Sequence, residues 1–552
     1  MNEELNKALE QISDDHLNEA AAYHRNRFPW LRSIAAVLAL VLCWTAIWAA
    51  FDFKPPMIVP DPTDPVLRDP TSPSQPSNPN NVTTPTSPTN PIHPTSPGPG
   101  DIVIPTDPPI IIEPPDIVIP TDPPIIIEPP DIVVPPTPLV AGPVYPEMVA
   151  CPNYDDYSDY RDYQDALDLW YESRRNQYNQ PFGYADSLNP FWQRSIAQFL
   201  SGEGNRAYSP ANVYLAMAML AETTGGNSRQ QILDLLGAEG IEALRIQAGH
   251  VWNAQYCNDK QTISLLANSL WLDDSYAFKD AAVQNLVNHY YASVFNGDLG
   301  NEEMNEQLRA WLNSQTGGLL QEQIKNQEFS EYAVFALAST IYFNAGWDSK
   351  FSPDNTTDAV FHCKDGDLTT AFMNKTMDFG TYYGGSNFGA VQLSLSKGSM
   401  WLILPDEGYT VDDILSSGEY LQLTQKPSEW KSKKKLKINL SLPKFDITTD
   451  TSLIDGMKAL GLSDIFIPGT ADFSPMTEDT KLQAPCIGKI DHAVRVAIDE
   501  KGVVGAGYTV IEMVDSGIPM PPEDEMDFVL DRPFLFMVTD DVPLFAGVVE
   551  QP

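Results

Sequence analysis

Apolar positions from about residue 186 onward fall into two periods. Helical spacing runs over 190–200, 210–222 (PANVYLAMAMLAE) and 228–236 (SRQQILDLL). The last of these is opened by Asn227-Ser228 and stopped by Gly237. Short apolar runs that read as strands occupy 263–272 (ISLLANSLWL), 332–343 (YAVFALASTIYF), 390–394, 400–404 (MWLIL), 436–442, 490–498 and 535–538. Helices come first and strands later, which predicts an α+β unit over 186–552. That length is large for one domain and suits extensive sheets.

Upstream the pattern changes. Residues 147–185 are rich in Tyr and Asp (NYDDYSDYRDYQDALDLWYESRR), and predict a short amphipathic helix around Leu167–Tyr171 docked on the domain. Residues 53–146 are proline-punctuated, with Ser, Thr and Asn filling 62–98, so they build no core and read as a tether. DIVIPTDPPIIIEPP at 101–115 repeats identically at 116–130 and then degenerates. In polyproline II geometry, at about 3.1 Å per residue, such a stalk reaches on the order of 280 Å. Service as a ligand for proline-reading domains would need a partner on the same side of the membrane.

Ser33–Phe51 (SIAAVLALVLCWTAIWAAF) carries no charge and is long enough to span a bilayer, giving a transmembrane signal-anchor at 33–52. Trp30, Trp44 and Trp48 suit the interfaces. Arg25, Arg27 and Arg32 precede the span and only Lys54 closely follows it. The expectation is a single-pass plasma-membrane protein with a cytoplasmic head (1–32) and an extracellular domain. The rival is a cleaved signal peptide; the long head and Trp48 near Ala49-Ala50 argue against it. The head reads first as a solvated helix before the span, and it also resembles those of some Gram-positive membrane proteins, including anti-sigma-like ones.

A formal charge of −40 opposes nucleic acid and anionic membrane surfaces. The five cysteines (Cys43, Cys151, Cys257, Cys363, Cys486) show no CxxC pair and no zinc-ligand spacing, so neither metal nor cofactor is expected. A disulfide among the last four stays open. Trp192, Trp271, Trp311, Trp347 and Trp401 are expected in the core.

Glu500–Phe534 (EKGVVGAGYTVIEMVDSGIPMPPEDEMDFVLDRPF) changes character three times. Gly502–Met513 is uncharged apart from Glu512, small at first and β-branched later. On a strand, Val503, Gly505, Gly507, Thr509 and Ile511 would share one face, and Val504, Ala506, Tyr508 and Val510 the other. The glycines weaken it as a free-standing strand, and the prolines of PMPPEDE end it. The stretch reads as a loop that could become a strand.

These residues resemble the reactive-centre loop of serpins, protease inhibitors that act by loop insertion. His492 lies eight residues before Glu500, DEKG (499–502) opens the hinge, and DRPFLFMV (531–538) and PLFAGVVEQP (543–552) resemble the carboxy-terminal strands. NRAYSPANVYLAMAMLAETTGGNSRQQILDLLG (205–237), LANSLWLDDSYAFKD (266–280), LRAWLNSQTGGLL (308–320), ASTIYFNAGWDSKFSPDNTTDAVFH (338–362), WLILPDEG (401–408), LPKFDI (442–447) and GLSDIF…ADFSPM (461–476) follow in family order.

The resemblance implies a serpin fold with three β-sheets, surrounding helices and an exposed reactive loop, here after one transmembrane helix and a proline-rich stalk. It implies no catalytic activity, and a monomer is expected. The partners it implies are secreted serine proteases, trapped as covalent acyl complexes. The hinge is Glu500, Gly502, Val503, Gly505, Ala506, Gly507 and Thr509, and the sheet-opening region holds Ser209, Pro210, Trp347 and His492. Counting from Glu500 as the family does puts the reactive bond at Ser516–Gly517. Ser516, or neighbouring Val514 or Met513, suits the shallow pockets of elastase-like or subtilisin-like enzymes, and Asp515 would suit an enzyme preferring acidic residues. No Arg or Lys lies between Gly502 and Asp531, which disfavours trypsin-like targets. Departures from the family pattern are Asn212 for a hydroxyl, Ser339 for Asn, Ala345 for Gly, Val503 for Thr or Ser, and Gly505 for Ala. None puts a charge or proline into the hinge.

Catalytic readings of His492 and of Ser386 in GGSNFG fail, because the motif is not GxSxG and no second His serves it. Two functions of other classes remain: a non-inhibitory serpin-fold binding or adhesion module on a stalk, and transmembrane signalling to the head.

Overall fold

The computed structural model describes residues 139–259, 262–503 and 524–552. The first described part is mostly helical, with two three-residue strands: β1 (Leu139–Ala141), α1 (Tyr160–Ser173), α2 (Asn189–Leu200), β2 (Arg206–Tyr208), α3 (Pro210–Thr223), α4 (Gly226–Leu236) and α5 (Ile241–Gln255). The middle contains β3 (Cys257–Asn258), β4 (Ile263–Asp273), α6 (Asp280–Tyr290), β5 (Ala292–Gly297), α7 (Glu302–Gln315) and β6 (Phe335–Gly346). Strand then dominates: β7 (Thr356–Cys363), β8 (Gly366–Gly384), β9 (Phe388–Ser394), β10 (Ser399–Pro405), β11 (Lys433–Pro443), β12 (Phe445–Ser452), β13 (Asp491–Ile498), β14 (Gly502–Val503), β15 (Glu525–Val529), β16 (Phe534–Asp540) and β17 (Val542–Val549).

The first sheet runs β1-β5-β4-β6-β14-β13-β12, with β3 beside β4; the second runs β15-β11-β8-β9-β10-β16-β17-β2, with β7 beside β8. Three sheets were expected and hydrogen bonding yields two. The long β8 pairs with β7 and β11, and its last residues, Tyr382–Gly384, pair with Val391–Gly389 of β9, which fuses the two smaller sheets.

Helix α3 is the centre of the main core. All its side chains but Ala216 are buried, as a helix that is apolar around its circumference must be. It packs on β6, β17 and helices α4, α5 and α6. Pro210 takes the first helical position, where its missing N–H costs nothing. Helix α4 ends at Gly237, whose φ of 68° makes the left-handed cap. It starts at Gly226, a little before the Asn227-Ser228 signal. A second, smaller core of Ala267, Trp271, Phe295, Leu299, Met304, Leu308 and Trp311 fills the opposite face of the first sheet. Burial on both faces explains why β4 reads as a continuous apolar run rather than an alternation. All five expected tryptophans are buried.

Residues 139–185 belong to this body. β1 lies inside the range read as tether, yet it pairs antiparallel with β5. Tyr145 stacks on Trp252 and Tyr256, with ring centroids 5.7 and 5.6 Å apart. Arg174 and Asp259 form a buried ion pair. The docked helix is longer than the expected 167–171. Cys151, Cys257, Cys363 and Cys486 are not joined in disulfides. The head, the candidate span and the tether up to residue 138 lie outside the described residues. Among the described residues, no helix is long and apolar enough to cross a membrane.

Candidate functional site

β6 and β13 are neighbours held together at one end only. There β14 lies between them, with Gly502 opposite Gly346, and Val503 opposite both Ala345 and Ile498. Beyond that point no described strand separates them, and a cavity of about 860 Å³ opens between the strands and α3. Asn212, Met217, Ser339, Ile341, His492 and Val494 are among its lining residues. β13 alternates strictly, with His492, Val494, Val496 and Ile498 buried, so one row of each strand faces the main core. The two facing strand edges form a slot shaped for another strand.

The closed end is built from the DEKG residues. The Asp499 carboxylate accepts from the backbone N–H of Lys501 at 2.8 Å and Gly502 at 3.2 Å, which makes a tight turn. Trp347 clamps that turn. Its backbone N–H donates to the Lys501 carbonyl at 2.9 Å and its indole Nε1–H to the Asp499 carbonyl at 2.8 Å. Gly502 is required by close approach, since a Cβ there would lie 2.3 Å from the Ala345 carbonyl oxygen. Val503 is 2% exposed and joins the main core.

Glu500 is anchored by residues far away in sequence. Its Oε1 lies 2.6 Å from Lys444 Nζ and accepts from Thr356 Oγ1 at 2.7 Å. Burial pushes its carboxyl up, and the Lys444 ammonium and Thr356 hydroxyl outweigh that, leaving it below the usual carboxylate range.

Deeper in the slot, the Ser209 N–H donates to His492 Nε2 at 3.1 Å, and Ser209 Oγ donates to the Leu544 carbonyl at 2.7 Å. Ser209 occupies the N-cap position of α3 but spends its hydroxyl on β17 rather than on the helix. His492 is buried, and burial lowers its pKa to about 4. It is therefore neutral at pH 7, as an accepting Nε2 requires. Asn212 Nδ2 donates to Ser339 Oγ at 3.1 Å across the slot floor.

The structure thus brings together Ser209, Pro210, Trp347, His492, Glu500, Gly502 and Val503. Gly505, Ala506, Gly507, Thr509, Ser516 and Gly517 lie outside the described residues. Sequence reasoning missed Thr356 and Lys444 as partners of Glu500, and no local signal marks them. Ser386 is exposed and its N–H donates to Glu419 Oε2 at 3.0 Å; among the described residues, no histidine is hydrogen-bonded to it. Among the described residues, no group of three or more His, Cys, Asp or Glu could hold a metal ion.

Comparison with known proteins bears on this slot. The family model described as Serpin (serine protease inhibitor) matches residues 191–552. The chain belongs to the serpin family. It is 26% identical to Serpin-ZX of Arabidopsis thaliana over 381 residues, covering 65% of this chain and 95% of that one. It is 26% identical to neuroserpin of Mus musculus over 395 residues, covering 67% and 92%. Among solved structures, the thermophilic serpin tengpin in its native state superposes with a TM-score of 0.59 at 22% identity, over 68% of this chain and 96% of that one. Arabidopsis AtSerpin1, described in a native stressed conformation, gives 0.58 at 24% identity, over 67% and 98%. Those structural likenesses establish the fold. As a serpin, this chain falls among proteins that are generally protease inhibitors rather than catalysts.

Proposed function

We propose that this serpin is a suicide-substrate inhibitor of extracellular serine proteases, of elastase-like or subtilisin-like preference. The protease hydroxyl attacks the Ser516 carbonyl, the bond to Gly517 breaks with a proton passing to the leaving amine, and an acyl-enzyme forms. The freed segment then enters the slot as a new strand and carries the protease with it.

One observation carries this reading: Val503 already pairs on both sides, and its register continues into the slot without a conflict. Extended one pair at a time from Val503, an inserted strand would set Gly505 between Phe343 and Val496, Gly507 between Ile341 and Val494, and Thr509 between Ser339 and His492. The two glycines would then meet large side chains, the hydroxyl would meet the polar floor, and Glu512 would fall on the opposite face. β6 ends at Phe335, opposite Met513, just short of Ser516. About a dozen ladder bonds at roughly 1 kcal/mol net each provide on the order of 10 kcal/mol to drive the step.

The anchored topology completes the proposal: a single span at 33–52 with a cytoplasmic head, and a tether that displays the domain outside the cell. Its support is the uncharged run at 33–51, the arginines before it and the proline repeats after it.

The test is a gel of the full chain incubated with elastase and, separately, with subtilisin. A complex that survives boiling in detergent, with a released peptide beginning at or near Gly517, is expected. Cleavage of the loop by both enzymes without a complex would leave the stalked binding module as the better reading.

A further inference from the structure

Charge on this chain is uneven. Of 34 basic residues against 74 acidic ones, five lie within seven positions: Lys431, Lys433, Lys434, Lys435 and Lys437. Lys433–Lys435 open β11 and are exposed. Lys437 is neutralised by Glu525, 3.1 Å away. Lys433 rests on the Pro427 and Ser428 carbonyls. Lys434 and Lys435 form no ion pair with any described residue.

The place of this run matters as much as its sign. β15 pairs with β11 only along Lys437–Ser441, so on that side the edge at 433–436 has no described strand beside it. The Lys437 N–H donates to the Asp524 carbonyl at 3.0 Å. Asp524 is where the chain returns from the loop that carries Ser516, only eight residues earlier, a reach of at most about 28 Å. Phe379, 43% exposed, sits in the bulge of β8 facing Lys437. An exposed aromatic on the strand next to a lysine run has the make-up of a protein interface rather than of a polyanion track.

We propose that Lys433, Lys434 and Lys435, together with Phe379, form a docking ledge for an acidic surface of the attacking protease. The ledge rests on the inhibitor reading for its partner. Elsewhere the excess of acidic residues repels an acidic enzyme; within a Debye length of the ledge, about 8 Å at physiological salt, the sign reverses. The ledge therefore selects by charge among proteases with the same pocket preference.

The test measures association rate constants of the full chain with subtilisin whose nucleophilic serine is replaced by alanine, native and after succinylation of its surface lysines. An inactive enzyme reports encounter without trapping, so the ledge is tested even if active subtilisin cuts the loop and forms no complex, an outcome that bears on the inhibitor reading alone. Succinylation should quicken association with the wild type relative to Lys433→Glu/Lys435→Glu. The variant should lose about tenfold against the succinylated enzyme at low ionic strength, and the gap should close as salt rises. Lys433→Gln/Lys435→Gln should fall between, with all three proteins melting together. Equal rates for the three, or equal losses against both enzyme forms, would overturn the ledge. So would a lysine-dependent rate that appears only on adding polyphosphate, which would make the run a polyanion site.

Discussion

Asn212 on α3 donates its side-chain amide to the hydroxyl of Ser339 on β6, at 3.1 Å, on the floor of the slot. Each residue alone departs from the serpin pattern, which has a hydroxyl on the helix and an Asn on the strand. Together they are the same pair exchanged. Ser339→Ala should cost about 1 kcal/mol, because the buried amide loses its acceptor. The exchange Asn212→Ser/Ser339→Asn should recover most of it. A double-mutant cycle on urea midpoints checks the coupling; additive losses would mean that the bond contributes nothing.

Gly502 touches β6 backbone and has no room for a methyl group. Gly502→Ala should destabilise the native protein by about 2 kcal/mol through overpacking. Hydrogen exchange should quicken at Ala345–Trp347, whose bonds depend on the turn. Unchanged exchange there would show that the clamp yields freely.

His492 links the slot to pH. Its pKa is lowered to about 4 in the folded protein, against about 6.5 when unfolded. The unfolded chain therefore binds a proton first as pH falls. Stability is full above pH 6.5 and is lost down to pH 4, by about 3 kcal/mol. Urea midpoints across that window should show the loss, and His492→Gln should flatten the slope.

The two faces of the entering segment should not tolerate charge equally. Thr509→Glu would bury a carboxylate on the core side beside Ser339 and His492. At about 3 kcal/mol that slows insertion roughly 100-fold, so the protease escapes and the variant behaves as a substrate. Val510→Glu would put its charge on the opposite face of the inserted strand and should retain more inhibition. Stoichiometries of inhibition separate the two, and equal loss would contradict the register.

Much of the fold was legible because it is written locally. The all-apolar run of α3, the Gly237 stop and the alternation of β13 each declare an element within a dozen residues. The slot's partnerships are not local. Asn212 and Ser339 are 127 residues apart, and Thr356 and Glu500 are 144 apart; only the folded topology pairs them. β1 was hidden for another reason. Leu139–Ala141 is three residues in proline-rich surroundings, and the exposed edge of β5 rather than its own propensity makes it a strand. The fused second sheet follows from the length of β8, which no periodicity reveals.

The central claim is that the segment after Val503 fills the slot once the loop is cut. The direct measurement is the thermal midpoint of the full chain before and after limited cleavage within 504–523. Filling the slot should raise the midpoint of the serpin domain by about 13 °C, as on the order of 10 kcal/mol is worth for a domain of this size. A cleaved protein that melts where the intact one does would contradict the account.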